Sequence, residues 1–307
     1  MHRFLLLCGL LSSFQLVAQD DLLAMLEKED AKKPTYTLAT FKASRLINGQ
    51  SVETIAKQHV NFWISHRFGA IFSGFIDNFF GLDEARIRLG LEYAITDNLL
   101  VGAGRSTIEK TYDTYAKYKV LRQSNKMPVT VTAFGSVASN TMKTGYTMES
   151  GTVMRFYNNL QRQSYLGKVL IARKFSDKLS LQVMPTILHT NLAESVYMEN
   201  TQAAMGFGGR YKLNNRLSVS AEYYYNLVDK SAFEESAGQN YPYHNSLAIG
   251  FDIETGGHVF QLHLSNSRGM IEKHFIGQTI GAWENGDIFY GFNIARTFSF
   301  EPKIKKQ

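Results

Sequence analysis

From Gly286 to Phe300 the chain reads GDIFYGFNIARTFSF, the longest and cleanest two-residue alternation in the sequence. Ile288, Tyr290, Phe292, Ile294, Phe298 and Phe300 fall on one face, and Asp287, Gly291, Asn293, Ala295, Thr297 and Ser299 on the other. Successive side chains of a β-strand point to opposite sides, so the pattern predicts a strand with one large apolar face and one small polar face. Only Phe289 and Arg296 break the rule. A strand of this length and amphipathicity is expected to cross a membrane.

The same alternation recurs from His59 onward in about twelve segments, each closed by a turn signal. Arg86 to Ile95 sets Ile87, Leu89, Leu91 and Tyr93 against Arg88, Gly90 and Glu92, and Leu217 to Leu227 sets Val219, Ala221, Tyr223 and Tyr225 against Ser218, Ser220, Glu222 and Asn226. In Ser246 to Glu254, Leu247, Ile249, Phe251 and Ile253 oppose Ala248, Gly250, Asp252 and Glu254. In Val259 to Ser265, Phe260, Leu262 and Leu264 oppose Gln261 and His263. A soluble sandwich also buries one face of each strand, so alternation alone leaves two architectures open.

The connections separate them. Short turns at Thr96 to Asn98, Gln123 to Met127, Ser176-Asp177, Leu213 to Asn215 and Thr255-Gly256 alternate with longer stretches. Those lie at Gly69 to Asp83, Thr141 to Ser164, Asn191 to Asn200, Val228 to Pro242 and Arg268 to Asn285, and only the small connection at Thr107 to Thr111 breaks the parity. An even number of strands then puts every short turn on the periplasmic side and every long loop outside, as in outer-membrane barrels. The expected fold is therefore all-β: a transmembrane antiparallel up-and-down β-barrel of about twelve strands. Hydrophobic content of 44% without an apolar run of about 18 residues past the N-terminus argues against a spanning helix and agrees with alternating strands.

Residues 1–19, MHRFLLLCGLLSSFQLVAQ, have the basic start, apolar run and small or polar end of a signal peptide. Cys8, the only cysteine, lies within it, so the mature chain carries no thiol or disulfide chemistry. Residues 20–57 are expected to form a periplasmic lead-in or partial plug. Asp20 to Lys33 has helical spacing with acidic residues first and lysines last, and Thr35 to Thr54 has a weak strand signal with a turn at Asn48-Gly49. Residues 58–300 then form the barrel and 301–307 a C-terminal tail.

Blocks such as ATFKASRLINGQSVET, NFFGLDEARIRLGLEYAITDNLLVG, LIARKFSDKLSLQVMPT and FDIETGGHVFQLHLSNSRGM together resemble an outer-membrane β-barrel family, domain-of-unknown-function family 5777. The resemblance covers nearly all of the mature chain. It implies a barrel in the outer membrane of a Gram-negative bacterium and brings no catalytic residues. Phe298 and Phe300 are similar to the C-terminal aromatic signal by which such barrels are recognised, which implies the barrel-assembly machinery and outer-membrane lipid as partners. The trailing Glu301 to Gln307 departs from that signal.

Side chains that could carry chemistry are few. His258 and His263 are five apart and face opposite ways on a strand, and no carboxylate stands at ligand spacing, so neither a metal nor any other cofactor is expected. The glycine clusters at Gly102 to Gly104 and Gly206 to Gly209 lack the setting of a phosphate loop and are expected to ease strand curvature. His263, Ser265 and Asn266 have a His-x-Ser-Asn spacing similar to that of outer-membrane phospholipase A and lipid A deacylases, in which an imidazole would activate the serine. Leu262 and Leu264 claim the lipid face, however, and turn His263 and Ser265 inward, away from a bilayer substrate. The protein is not expected to be an enzyme.

The inward face also carries Arg86, Arg88, Glu92, Lys117, Lys119, Lys168, Arg210, Glu222 and Asp252. Two readings stay open: a neutralising network in which each carboxylate has a Lys or Arg neighbour, or a narrow pore favouring anionic solutes. The expected function is a narrow channel or uptake barrel, with a pore-less structural or partner-binding barrel as the alternative and a lipid-modifying hydrolase as a more distant one. The aromatic residues belong to the lipid face, so the basic balance (formal net charge +6) does not imply nucleic acid as a partner.

Overall fold

A computed structural model of the chain describes residues 34–255 and 257–300. The expected signal peptide, the helical segment up to Lys33 and the tail 301–307 lie outside the described residues.

Twelve antiparallel strands close into one barrel. In chain order the strands are β1 (His59–Ala70), β2 (Ala85–Ala94), β3 (Leu99–Ser106), β4 (Tyr112–Leu121), β5 (Thr130–Ser139), β6 (Tyr146–Thr147), β7 (Val153–Met154), β8 (Gln163–Lys174), β9 (Leu179–Thr190), β10 (Thr201–Lys212), β11 (Leu217–Asn226), β12 (Ser246–Thr255), β13 (His258–Ser265) and β14 (Phe289–Ser299). β6 and β7 form a separate ribbon within a loop, and the other strands make the barrel. Closure comes from β1 pairing with β14 along its length, Val60 opposite Phe298 and Arg67 opposite Gly291, so no edge is left unpaired.

The parity expected from the turn signals is present. One end of the barrel carries the short connections 95–98, 122–129, 175–178, 213–216 and the link from Thr255 to His258, and the other carries the loops 71–84, 140–162, 191–200, 227–245 and 266–288. In outer-membrane barrels the short-turn end faces the periplasm. The connection 107–111 is the one short link at the long-loop end.

Side chains alternate as the sequence requires. Leu89 and Phe251, both 49% exposed, point out of the wall, whereas Arg88, Glu92 and Asp252 on the same strands are buried inside. Tyr93, Tyr118, Tyr211 and Phe298 ring the short-turn end, and Tyr112, Tyr165 and Tyr225 ring the long-loop end, all exposed. Two aromatic girdles flanking an apolar belt are the signature of a barrel seated in a bilayer. Arg296, the outward exception, stands opposite His258 at the start of β13, where its guanidinium lies over the Phe298 ring and a lipid-facing charge costs little. Phe289, the inward exception, is buried against the Arg268 guanidinium. Ile288 precedes β14 instead of opening it; its carbonyl accepts the Ile71 N–H.

Candidate functional site: a lumen filled from both ends

A barrel of this strand number has a lumen wider than an eight-stranded barrel, whose own side chains fill it, and narrower than the open sixteen-stranded porins. Here two segments of the chain occupy the space. From the short-turn end, residues 44–51 enter as a β-hairpin: the Leu46 N–H donates to the Gly49 carbonyl (2.9 Å), the Ser51 N–H to the Ser44 carbonyl (2.9 Å), and Arg45 bridges to Gln50. From the long-loop end, the loop 266–288 folds inward and places the helix Glu272–Gly277 inside the barrel, with Phe275 fully buried and Ile276 2% exposed. The inserts meet where Arg45 Nη1 donates to the Met270 carbonyl (3.4 Å).

The hairpin turn is centred on Ile47 and Asn48, one residue earlier than the Asn-Gly signal suggests. Gly49 is needed for room: a Cβ there would stand 1.9 Å from the Tyr224 hydroxyl oxygen. The Gly102 to Gly104 and Gly206 to Gly209 clusters also make room. A side chain at Gly102 would meet the Tyr115 ring, at Gly104 the Arg88 guanidinium and at Gly206 the Tyr224 ring, so these glycines clear space for large inward neighbours.

A hairpin in a lumen has backbone groups with no strand partner, and each must find one or cost free energy. Wall side chains supply them. Glu222 accepts the N–H groups of Ile47 (3.3 Å), Asn48 (2.7 Å) and Gly49 (3.1 Å), three consecutive donors converging on one carboxylate as in an anion-binding nest. Lys117 Nζ donates to the carbonyls of Ser44 (2.8 Å), Ser51 (3.0 Å) and Glu53 (3.1 Å). Gln182 clamps the second strand of the hairpin by donating to the Gln50 carbonyl and accepting from the Val52 N–H. Gln261, Asn293 and Arg67 reach Leu46, Ile47 and Asn48 from the opposite wall.

This corrects the expectation that every lumen carboxylate stands beside a Lys or Arg. Arg88 does pair with Asp113 through two hydrogen bonds, Lys168 with Glu272 (3.3 Å) and Lys119 with Glu53 (3.6 Å), but those partners sit on β4, the inserted helix and the hairpin segment. Among the described residues, Glu92, Glu222 and Asp252 form no ion pair within 4 Å. Glu92 is held by neutral donors from Ser44, Asn61, Trp63 and Tyr115, and Asp252 by Ser220 and Gln261. Charge in a low-dielectric interior is satisfied by hydrogen bonds as well as by counter-charge. Arg210 Nε donates to Ser218, and Arg86, nearer the loops, reaches Glu149 (3.2 Å).

The lumen is also less polar than alternation alone suggests. Leu100, Tyr115, Phe134, Leu166, Leu170, Met184 and Leu188 face inward and pack with Phe41, Leu46 and Val52 of the N-terminal segment and with Phe275 of the loop. Nothing in the alternation announces this, because both faces of β8 and β9 carry apolar residues.

His263 and Ser265 point inward, but no hydrogen bond joins them. Among the described residues neither ring nitrogen of His263 has a side-chain partner, the Ser265 hydroxyl oxygen accepts from the Ser267 N–H, and Asn266 clasps Asn245, Leu247 and Gly281. This is a wall and loop-anchoring arrangement without a nucleophile–base contact.

A closed antiparallel barrel with outward apolar belt, aromatic girdles and a filled lumen defines an outer-membrane β-barrel protein. More particularly, the chain belongs to the family described as a membrane-bound β-barrel domain, DUF5777, whose model matches residues 41–298. Solved structures to which the chain is similar include the KdgM porin (8% identity, TM-score 0.45, covering 78% of this chain and 99% of that one). Others are an outer-membrane channel from Pseudomonas putida F1 (10% identity, TM-score 0.43, 80% and 98%) and Omp33 from Acinetobacter baumannii (10% identity, TM-score 0.40, 81% and 100%). No curated protein matches the chain.

Proposed function

We propose that the protein is a gated channel or uptake barrel for small solutes, closed in the conformation described by the hairpin 44–51 and the inserted loop 266–288. The observation that carries this reading is how the hairpin is held. It enters from the short-turn end, and its tip and its base are fixed by hydrogen bonds to wall side chains, chiefly Glu222 at the tip and Lys117 at the base, that are broken together if it withdraws. Withdrawal would leave a lumen whose wall cations, Arg67, Arg88, Lys117, Lys119, Lys168 and Arg210, outnumber the wall carboxylates Glu92, Asp113, Glu222 and Asp252. Such a lining favours anionic solutes.

Planar-bilayer recording of the refolded full-length chain tests the reading. The wild type is expected to be closed for most of the record. Glu222→Ala with Lys117→Met, combined with Lys168→Met to free the loop helix, is expected to conduct steadily. A barrel that stays folded, shown by its compact electrophoretic mobility, yet passes no current in that variant would instead be a filled scaffold for other proteins.

A further inference from the structure

The rim at the long-loop end is unevenly charged. Loops 71–84, 191–200 and 227–245 carry three, two and three carboxylates against the single cation Lys230. The link 107–111 and the loop 140–162, which top β3, β4 and β5, instead carry four Lys or Arg and two carboxylates. Both of those carboxylates already hold cations from other segments: Glu109 pairs with Lys273, and Glu149 with Arg86 and Arg268. Lys110 and Lys143 are left exposed and, among the described residues, form no ion pair.

The backbone holds these cations at the edge of the wall. Glu109 (φ 51°) and Lys110 (φ 47°) are consecutive left-handed residues that are not glycine, a strained arrangement that persists only where neighbours fix it. Glu109 is fixed by Lys273 and by the Tyr146 hydroxyl (2.8 Å), and Lys110 stays at the surface. Thr141 Oγ1 donates to the Lys110 carbonyl (2.6 Å), tying the start of the loop 140–162 to this turn, and Arg162 Nη1 donates to the Met142 carbonyl (2.6 Å) just before Lys143. Below them Arg105 is exposed on the outward face of β3, between Leu89 and Tyr112, with its guanidinium 5.5 Å from the Tyr112 ring centre and no ion pair among the described residues. Arg173 and Arg296, which also face outward from the barrel strands, lie at the short-turn end.

Arg105 therefore sits at the level of the long-loop aromatic girdle, where headgroups of the outer leaflet meet water. The outward row that continues from it is polar: Tyr112 stands opposite Ser139 and Ser139 opposite Gln163, whose Nε2 donates to Ser139 Oγ (3.0 Å). Four residues further down the same strands, Ala116, Gly135 and Gly167 leave a smooth wall along which acyl chains can lie. A row that faces the bilayer at headgroup level meets lipid before it meets a soluble anion or a protein. In the outer leaflet of a Gram-negative outer membrane that lipid is lipid A, an acylated disaccharide carrying phosphates.

We propose that Arg105, Lys110 and Lys143 form a binding site for lipid A, the three cations taking its phosphates and the row Tyr112, Ser139 and Gln163 lying against its sugars. Exposed Lys and Arg at a membrane surface attract anionic headgroups, and polar groups beside them select among lipids of like charge. The site does not depend on whether the lumen opens.

Native mass spectrometry of the refolded full-length protein, released from detergent after incubation with each probe, tests it. The probes are diphosphorylated lipid A, the same lipid stripped of both phosphates, phosphatidylglycerol and inorganic phosphate. Diphosphorylated lipid A is expected to be retained saturably and at least about tenfold more tightly than the other two lipids, and not to be displaced by an equal concentration of inorganic phosphate. Arg105→Gln, Lys110→Gln and Lys143→Gln should each weaken retention about fivefold and together about a hundredfold, with electrophoretic mobility unchanged. Arg173→Gln, which removes an outward cation at the opposite end, should leave retention as in the wild type. Equal retention of the dephosphorylated lipid or of phosphatidylglycerol, displacement by inorganic phosphate, or retention indifferent to the triple substitution overturns the proposal, as does an equal loss in Arg173→Gln.

Discussion

Truncation of Glu222 to alanine removes the acceptor for three consecutive buried N–H groups at the hairpin tip. Orphaning a buried donor costs about 1–3 kcal/mol, and bonds to a charged acceptor lie at the upper end. Only the Asn48 bond, at 2.7 Å, is short; those from Ile47 and Gly49 are 3.1 Å or longer, so their losses weigh less. Counting one full loss and two partial ones gives about 3–4 kcal/mol, offset in part by the burial cost of the carboxylate that is also removed. A net of about 3 kcal/mol raises the population of the withdrawn hairpin roughly a hundredfold. Hydrogen–deuterium exchange by mass spectrometry reads this directly: peptides spanning 44–53 should exchange about a hundredfold faster in Glu222→Ala, while those from β8 and β9 keep their protection. If 44–53 exchanges at the wild-type rate with the barrel intact, Glu222 does not hold the hairpin and the reasoning is refuted.

Other expectations follow from the same geometry. Gly49→Ala should displace the tip by steric clash with Tyr224 and give the same exchange pattern as Glu222→Ala, although no charge is altered. Phe251→Arg, in the middle of β12, should cost about 2–4 kcal/mol in guanidinium unfolding from lipid vesicles, whereas Phe298→Arg at the rim should cost about 0–1 kcal/mol. Although burial pushes the Glu109 carboxyl up, Lys273 and His274 together hold it well below the ordinary value of 4.5. A depressed folded-state pKa adds stability that is present above the ordinary value and is lost as pH falls, so segments 107–111 and 270–278 should loosen in exchange experiments below about pH 4, and Glu109→Gln should flatten that dependence. Lys119→Glu in the conducting variant, with Lys117→Glu in place of its Lys117→Met, should shift the reversal potential toward cations. His263→Ala and Ser265→Ala should leave conductance and phospholipid stability as in the wild type, and loss of an ester-hydrolysing activity on either change would restore the enzyme reading.

The barrel itself was legible because its information is local. Alternation at Leu89, Tyr223, Phe251 and Phe292 assigns a face to each residue, and the spacing of turn signals assigns an end to each loop. How the lumen is filled was not, beyond the partial-plug alternative for residues 20–57, because it depends on contacts between residues far apart in the chain. Glu222 and Asn48 are separated by 174 positions, and nothing near Glu222 marks it as a receptor for backbone N–H groups instead of a partner for lysine. The inward carboxylates and cations were read as a set from strand register, but the partners of Glu222, Lys117, Lys119 and Lys168 lie on the N-terminal segment and in the loop, segments with only weak periodicity. Asn48-Gly49 did carry a signal: a hairpin turn with buried apolar neighbours Leu46 and Ile47 is out of place in a solvated lead-in. The basic rim draws Arg105 from a strand, Lys110 from a turn and Lys143 from a loop, and no sequence spacing links them.

The gate is tested most directly by a thiol at the hairpin tip. Ile47→Cys places the thiol at a site 1% exposed in the closed form, and the only other cysteine of the sequence is Cys8, in the expected signal peptide. A charged, membrane-impermeant thiol reagent added from the short-turn side during planar-bilayer recording should react during the rare withdrawals. A charged adduct cannot return to a buried site without a penalty of several kcal/mol, so the current should rise in steps and stay raised until a reductant removes the adduct. A thiol that does react while the current stays at baseline, before and after modification, would contradict a hairpin that gates the lumen.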